Sequence, residues 1–109
     1  MATKTNLTID QGSVFYSDLI LSDENGDLLN LEGYTANSQI RRWYTSSNAT
    51  ATFTTSINTI SSAIVLSLTA NQTSAIPSGR YVYDVEITDG LETLRIIEGI
   101  VTVTPEVTR

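Results

Sequence analysis

Alternation of apolar and polar residues is the feature that most constrains what this chain can fold into. It is clearest in GRYVYDVEI (79–87), where the odd positions from Tyr81 to Ile87 share one side of an extended strand. Asp84 and Glu86 fall on the opposite side, so the apolar set is predicted to face a core and the acidic set to face solvent. No stretch has an apolar stripe at i, i+3, i+4 and i+7 over three turns, and the chain is therefore predicted to be all or nearly all β.

The alternation and the turn residues between apolar runs predict seven strands. These strands lie at 5–9, 14–22, 34–44, 51–57, 63–69, 80–89 and 93–104, and a stub at 28–31 adds an eighth. Asn-Gly within DENGD (23–27) and Asp89-Gly90 indicate hairpin turns. One short helical turn is predicted near 70–76, with Thr69 as its cap and Pro77 at its end. Short strands at this spacing favour an antiparallel immunoglobulin-like β-sandwich.

Length and composition limit the class of protein further. The 109 residues fit one domain, 1–109, and the 40% apolar content is enough to build a core. There is no cysteine and no histidine, which excludes disulfides, thiolate metal sites and histidine-dependent catalysis. The net charge is −6 and the basic residues are spread along the chain, so nucleic acid is not an expected partner.

The N-terminal segment carries no apolar core of signal-peptide length, and no apolar run approaches the ~18 residues of a membrane span. We therefore expect synthesis in a cytoplasm and no membrane partner.

Asp84 and Glu86 have two interpretations. As a functional pair they would resemble the carboxylates of a glycosidase or a metal clip. Neighbours on one strand face lie roughly 7 Å apart, however, and the sequence offers no third ligand. A solvated strand face is the preferred interpretation, with Arg41 facing one of the two acids from an adjacent strand. No catalytic residue, cofactor, metal or small-molecule substrate is predicted.

DENGD also imitates the start of a calcium loop, with oxygen ligands at alternate positions. The twelfth position counted from Asp23 is Tyr34 rather than the required glutamate, so turn chemistry explains this segment better than calcium binding.

Four aromatic residues have candidate roles. SGRYVYDV predicts a tyrosine corner, in which a tyrosine hydroxyl binds the preceding loop; Tyr81 is the first choice and Tyr83 the second. Trp43 and Tyr44 follow Arg41 and Arg42, and strand parity sends one of the two aromatics outward. Aromatic and arginine side chains favour interface centres, but core packing of Trp43 is an equal alternative.

A family resemblance spans almost the whole chain. It is carried by LTIDQGSVFYSDLILSDENGDLLNLEGYTANSQIRRWY, by IVLSLTANQTSAIPSGRYVYDVEI and by the ending RIIEGIVTVTPEVTR, of which EGIVTVTPEVTR is the most specific piece. These segments resemble small immunoglobulin-like structural proteins of tailed bacteriophages, of the T4-like type found in phages of marine cyanobacteria. More loosely, their order is similar to the N-terminal domain of upper-baseplate proteins of siphophages.

The resemblance implies a virion structural protein that is not an enzyme. Its expected partners are other virion proteins of the tail, neck, baseplate or capsid, in a symmetric multi-copy assembly. Arg41, Trp43, Tyr44 and the terminal Arg109 are the candidate interface residues. Two alternatives remain: a capsid decoration protein specifically, and a carbohydrate or host-surface binding module with Trp43, Tyr34 and Tyr44 as its aromatic platform.

Overall fold

A computed structural model describes residues 3–22 and 25–107, which form strands in two sheets and one short helix. The strands are β1 (Thr3–Lys4), β2 (Leu7–Asp10), β3 (Phe15–Ile20), β4 (Thr35–Arg41), β5 (Ala51–Thr52), β6 (Thr54–Asn58), β7 (Ala63–Leu68), β8 (Gly79–Thr88) and β9 (Thr93–Thr104). The helix α1 (Ala70–Ser74) lies between β7 and β8. Within the described part of the chain, no helix has the length and apolar character needed to cross a membrane.

The two sheets pack face to face as an antiparallel-rich sandwich. The larger sheet has the order β1-β9-β8-β4-β5, with β2 also paired to β9, and the smaller sheet has the order β3-β7-β6. Strands β1 and β2 run parallel to β9, and the remaining pairs are antiparallel. The central order β9-β8-β4 facing β3-β7-β6 is that of an immunoglobulin-like sandwich. The predicted all-β class is confirmed.

The core forms because the inward residues of both sheets are apolar. In β8 the four inward side chains are at most 4% exposed, whereas the residues between them are partly exposed. Ile64, Leu66 and Leu68 of β7 face them from the smaller sheet and are at most 2% exposed. Burial of one such side chain contributes roughly 1.5–3 kcal/mol.

The predicted strand 51–57 is divided between the two sheets. Ala51–Thr52 pairs with β4 in the larger sheet, and Thr54–Asn58 pairs with β7 in the smaller one. Phe53 lies at the crossing; it is 3% exposed, and its amide donates to the Ser38 carbonyl at 3.0 Å. Its ring lies 5.6 Å from the Phe15 ring and 6.2 Å from the Tyr83 ring. The crossing therefore closes the sandwich around an aromatic cluster.

Other predicted boundaries need smaller corrections. The strand expected at 34–44 ends at Arg41, and the strand expected at 5–9 begins at Leu7 after a short segment at 3–4. The expected stub at 28–31 is reduced to a single bridge between Leu28 and Ser22. In DENGD, Gly26 takes a φ of +85°, which suits the predicted turn, while Asp23 and Glu24 lie outside the described residues.

The predicted helical turn is present as α1. Thr69 caps it: the Thr69 hydroxyl accepts from the Gln72 amide at 3.2 Å, and the Gln72 side-chain oxygen accepts from the Thr69 amide at 2.8 Å. This reciprocal pair is a capping box. It forms from the sequence TANQ, in which the residue three after the cap is a glutamine.

Candidate functional site

A polar cleft of about 290 Å³ lies on the outer face of the larger sheet. The side chains that line it come mainly from the three central strands. They are Gln39 and Arg41 of β4, Val82, Asp84 and Glu86 of β8, Arg95 of β9, and Tyr44 from the turn after β4, together with part of Tyr83. The cleft thus contains two carboxylates, two guanidinium groups, an amide and one aromatic ring.

Strand register decides which of these groups face each other. Asp84 lies opposite Gln39 on one side and Glu98 on the other, and Arg41 lies opposite Val82. The predicted approach of Arg41 to the acids of β8 is a diagonal one, because Arg41 lies two residues along β4 from the position opposite Asp84. Arg41 still shares the cleft with Asp84 and acts on its charge. The Arg41 guanidinium donates to the Ser46 carbonyl and to the Gln39 side-chain oxygen, each at 2.9 Å.

A β-bulge supplies the cation that faces Glu86. The pairing of β8 with β9 shifts by one residue between Val85 and Glu86, so that Glu86 pairs with Arg95 rather than with Ile96. Ile96 packs against the core instead, beside the buried Ile97. The bulge thereby places Arg95 in the cleft.

Partial burial governs the electrostatics of Asp84. Loss of solvent raises the pKa of the Asp84 carboxyl, and the nearby Glu98 raises it further, whereas Arg95 and Arg41 lower it. The burial effect is the largest of these, so this carboxyl is held in the cleft at some cost in solvation. Among residues 3–22 and 25–107, no group of three or more acidic, histidine or cysteine side chains is placed to hold a metal ion.

The turn after β4 presents two aromatic side chains to solvent. Trp43 is 65% exposed and Tyr44 is 64% exposed. The Trp43 amide donates to the Ser46 hydroxyl at 3.0 Å, and the Ser46 amide donates to the Trp43 carbonyl at 3.1 Å. With the Arg41 bond to Ser46, these contacts fix the turn. We call residues 42–46 the aromatic turn.

Arg42 joins the aromatic turn to the start of β8. Its guanidinium carbon lies 5.6 Å from the centroid of the Trp43 ring and 5.2 Å from that of the Tyr81 ring. One of its nitrogens also donates to the Arg80 carbonyl at 3.1 Å. Cation–π contacts of this kind stabilise by about 0.5–1 kcal/mol at exposed sites. Arg42 therefore holds the aromatic turn against the sheet.

Neither a scan against protein-family models nor a search of curated proteins finds a match to this chain. The cleft and the aromatic turn are the two structural features on which a functional proposal can rest. They lie side by side, because Tyr44 belongs to both.

The two tyrosines of β8 serve the fold rather than the cleft. The Tyr81 hydroxyl donates to the Pro77 carbonyl at 2.6 Å, which is the hydrogen bond expected of a tyrosine corner. The Tyr83 hydroxyl donates to the Thr5 carbonyl at 2.6 Å, and burial raises the pKa of Tyr83 to about 12. Both rings are buried.

The structure brings together three of the four predicted interface residues. Arg41, Trp43 and Tyr44 lie within and beside the aromatic turn, while Arg109 lies outside the described residues. Of the two alternatives for Trp43, core packing or exposure, the structure has exposure, because β4 ends at Arg41 and the next residues turn away from the sheet.

Two residues of the cleft, Gln39 and Arg95, were not predicted. Gln39 shares a strand face with Arg41 by parity, whereas the signal for Arg95 is the adjacent pair Ile96-Ile97, which breaks the alternation of β9.

Proposed function

We propose that this chain is a non-enzymatic structural protein of a tailed-bacteriophage virion that docks on other virion proteins through the aromatic turn. Two observations support this proposal. The first is the resemblance of the sequence to small phage structural proteins over almost its whole length. The second is the pair of exposed aromatics on a fixed turn, which carries the docking part of the proposal.

The chemistry of the aromatic turn suits a protein partner. Tryptophan, tyrosine and arginine are the residues that dominate binding energy at protein interfaces. Trp43, Tyr44 and Arg42 are adjacent in sequence, and the hydrogen bonds of Ser46 hold their backbone before any partner arrives. A pre-formed turn loses little conformational entropy on binding, which favours affinity. The cleft beside it offers charged groups that fix orientation.

The number of copies per particle distinguishes the possible positions of this protein on the virion. A neck or baseplate protein, placed at a single axis of the particle, is expected in far fewer copies than a capsid decoration protein that repeats over the whole shell. We favour the tail, neck or baseplate position, and quantitative mass spectrometry of purified particles distinguishes it from decoration. If purified particles contain none of this chain, the virion role is wrong.

Docking through the aromatic turn is tested by substitution. The double variant Trp43→Ala/Tyr44→Ala should remain folded and fail to join particles, because loss of a central aromatic anchor typically weakens an interface by about 2 kcal/mol or more, roughly 30-fold. Leu91→Ala is the matched control: Leu91 is 92% exposed and lies in the β8–β9 turn, at the opposite end of β8. Normal incorporation of the double variant would show that the partner binds elsewhere.

A carbohydrate or host-surface ligand is the second candidate, and one observation favours it. The exposed ring of Tyr44 lines a polar cleft that also contains amide, carboxylate and guanidinium groups, the groups that bind sugar hydroxyls. A glycan array with the isolated protein tests this candidate. Binding that is lost in Tyr44→Ala supports it, and an array without signal excludes it.

A further inference from the structure

Strand β3 forms one edge of the smaller sheet. Its partner in that sheet is β7, and the register with β7 is regular from Phe15 to Ile20. The Leu21 amide continues this ladder by donating to the Ser62 carbonyl at 2.9 Å. Because backbone groups alternate in direction along a strand, the odd-numbered residues bond to β7. The amides and carbonyls of Tyr16, Asp18 and Ile20 therefore point away from the sheet.

The space beside this edge is open in the described part of the chain. A cleft of about 270 Å³ separates residues 18–22 from Thr3 and Thr5 near β1. The first strands of the chain do not cover the edge, because β1 and β2 both pair with β9 in the other sheet. An immunoglobulin-like sandwich often has a strand at this position, and here the chain supplies none among residues 3–22 and 25–107.

The edge lacks the devices that normally keep such strands from pairing. Exposed edges are usually short, bulged, or carry lysine or proline. β3 has six residues with no bulge against β7, and Asp18 is its one charged side chain. The outward residues on either side of Asp18 are apolar or aromatic: Val14 is 73% exposed, and Tyr16 and Ile20 are each 65% exposed.

We propose that β3 pairs antiparallel with β3 of a second copy of this chain, across a twofold axis at Ser17. In this register Val14 lies opposite Ile20 of the second copy, and Tyr16 lies opposite Asp18 of the second copy. Phe15 and Leu19 meet in the same way on the inner face. The pairing joins two three-stranded sheets into one continuous six-stranded sheet, and it stands whether or not the chain belongs to a virion.

Charge and side-chain direction select this register. Antiparallel partners must lie on the same face of the sheet, so the axis passes through a residue, and axes at Ser17 and Asp18 pair more residues of β3 than axes nearer its ends. An axis at Asp18 would place two carboxylates directly opposite each other, which is unfavourable. The axis at Ser17 instead places each Asp18 opposite Tyr16 rather than opposite a second carboxylate, and each exposed Val14 against an exposed Ile20. The edge is thus complementary to itself.

The other free edges fit a second copy less well. The outward residues of β6 are the polar Thr54, Ser56 and Asn58. Strand β5 has two residues, and the β1–β2 edge is interrupted at Thr5 and Asn6. Strand β3 is therefore the edge with both the length and the apolar surface for association.

Sedimentation of the full chain tests the proposal first. We expect a species of twice the 11.9 kDa chain mass that dissociates on dilution. Tyr16→Asp places like charges opposite each other and should give a folded monomer. Adding Asp18→Lys to Tyr16→Asp restores opposite charges and should restore the dimer. A wild-type chain that stays monomeric at its highest soluble concentration overturns the proposal.

Cross-linking tests the register independently of how these variants fold. The chain has no cysteine, so Ser17→Cys introduces one thiol per copy, and the twofold axis brings the two thiols together in a pair of residues without backbone hydrogen bonds. Mild oxidation should convert Ser17→Cys to a covalent dimer several-fold faster than Ser56→Cys on the β6 edge. Equal rates for the two variants would overturn the register.

Discussion

At the scale of single residues, Gly99 sets the path of the N-terminal strands. A Cβ atom at this position would lie 2.1 Å from the Thr5 carbonyl oxygen, so only glycine lets the first strands approach β9 here. The Tyr83 hydroxyl donates to the same carbonyl, and the Asn6 side chain accepts from the Ile100 amide at 3.1 Å. These bonds hold Thr5 and Asn6 against β9 at the point where the pairing of β1 with β9 ends and that of β2 with β9 has not begun.

Gly99→Ala should therefore lower the free energy of unfolding. The methyl group must push the Thr5 carbonyl away, which costs about 1–3 kcal/mol as other overpacked sites do. Urea unfolding followed by tryptophan fluorescence measures the loss. Thr93→Ala, an exposed substitution on the same strand, should change stability by less than about 0.5 kcal/mol. Equal midpoints for the two variants would mean that the strands can separate at no cost.

Removal of the Tyr81 hydroxyl should also lower the free energy of unfolding. Tyr81→Phe keeps the ring in the core and deletes the hydrogen bond to the Pro77 carbonyl, so we expect a loss of about 0.5–1.5 kcal/mol. Tyr44→Phe removes an exposed hydroxyl and should leave the thermal midpoint unchanged. If both variants melt with the wild-type chain, the loop before β8 does not depend on the tyrosine corner.

At the scale of elements, α1 is held by tertiary contacts because five residues cannot form a stable helix alone. The fully buried Thr73 supplies them. Its hydroxyl donates to the Ser13 carbonyl at 2.8 Å and accepts from the Gly12 amide at 3.0 Å. One side chain thus ties α1 to the loop between β2 and β3, sixty residues earlier in the chain.

Thr73→Val keeps the shape of this side chain and removes the hydrogen bonds of its hydroxyl, which include a further bond to the Ala70 carbonyl at 3.1 Å. We expect a loss of about 1–3 kcal/mol, because backbone groups lose a partner in a partly buried position. Chemical unfolding measures it, and hydrogen exchange should speed up at the Gly12 amide. Thr52→Val, on the exposed face of β5, is the control. Unchanged exchange at Gly12 would show that the loop is held by other contacts.

Strand positions could be predicted from the sequence wherever one face is continuously buried, as in β7 and β8. The crossing at Phe53 could not, because both sheets point their inner faces at the same core. A strand that passes from one sheet to the other keeps its alternation. Phe53 at the crossing and Ile57 after it both face inward, so the apolar pattern does not change where the strand changes sheet. The end of β4 was missed for a different reason. It depends on the hydrogen bonds that join Arg41 and Trp43 to Ser46, which no hydrophobic pattern records.

At the scale of the whole molecule, two aspartates respond to pH in opposite directions. Burial raises the pKa of Asp84, so the folded chain binds this proton more readily than the unfolded chain does. Asp89 accepts hydrogen bonds from the Glu92 and Leu91 amides, each at 2.9 Å, and these lower its pKa. By linkage, ionised Asp84 opposes folding, whereas ionised Asp89 favours it.

The raised pKa of Asp84 and the lowered pKa of Asp89 have opposite effects on folding stability. Above its raised folded pKa, Asp84 lowers stability, and stability is regained as the pH falls through that value towards the unfolded pKa. Asp89 contributes stability above its unfolded pKa, and this is lost as the pH falls through its depressed folded value. At about pH 7 we therefore expect Asp84→Asn to raise the melting temperature and Asp89→Asn to lower it.

Thermal unfolding of both variants from about pH 7 down to about pH 2 tests this pair. The two differences from the wild-type chain should converge towards zero as the carboxyls become protonated, since asparagine then has no charge to replace. Each variant is the control for the other, because both change the net charge by one unit. Shifts of the same sign at neutral pH would mean that the overall charge of −6, rather than the surroundings of each carboxyl, governs stability.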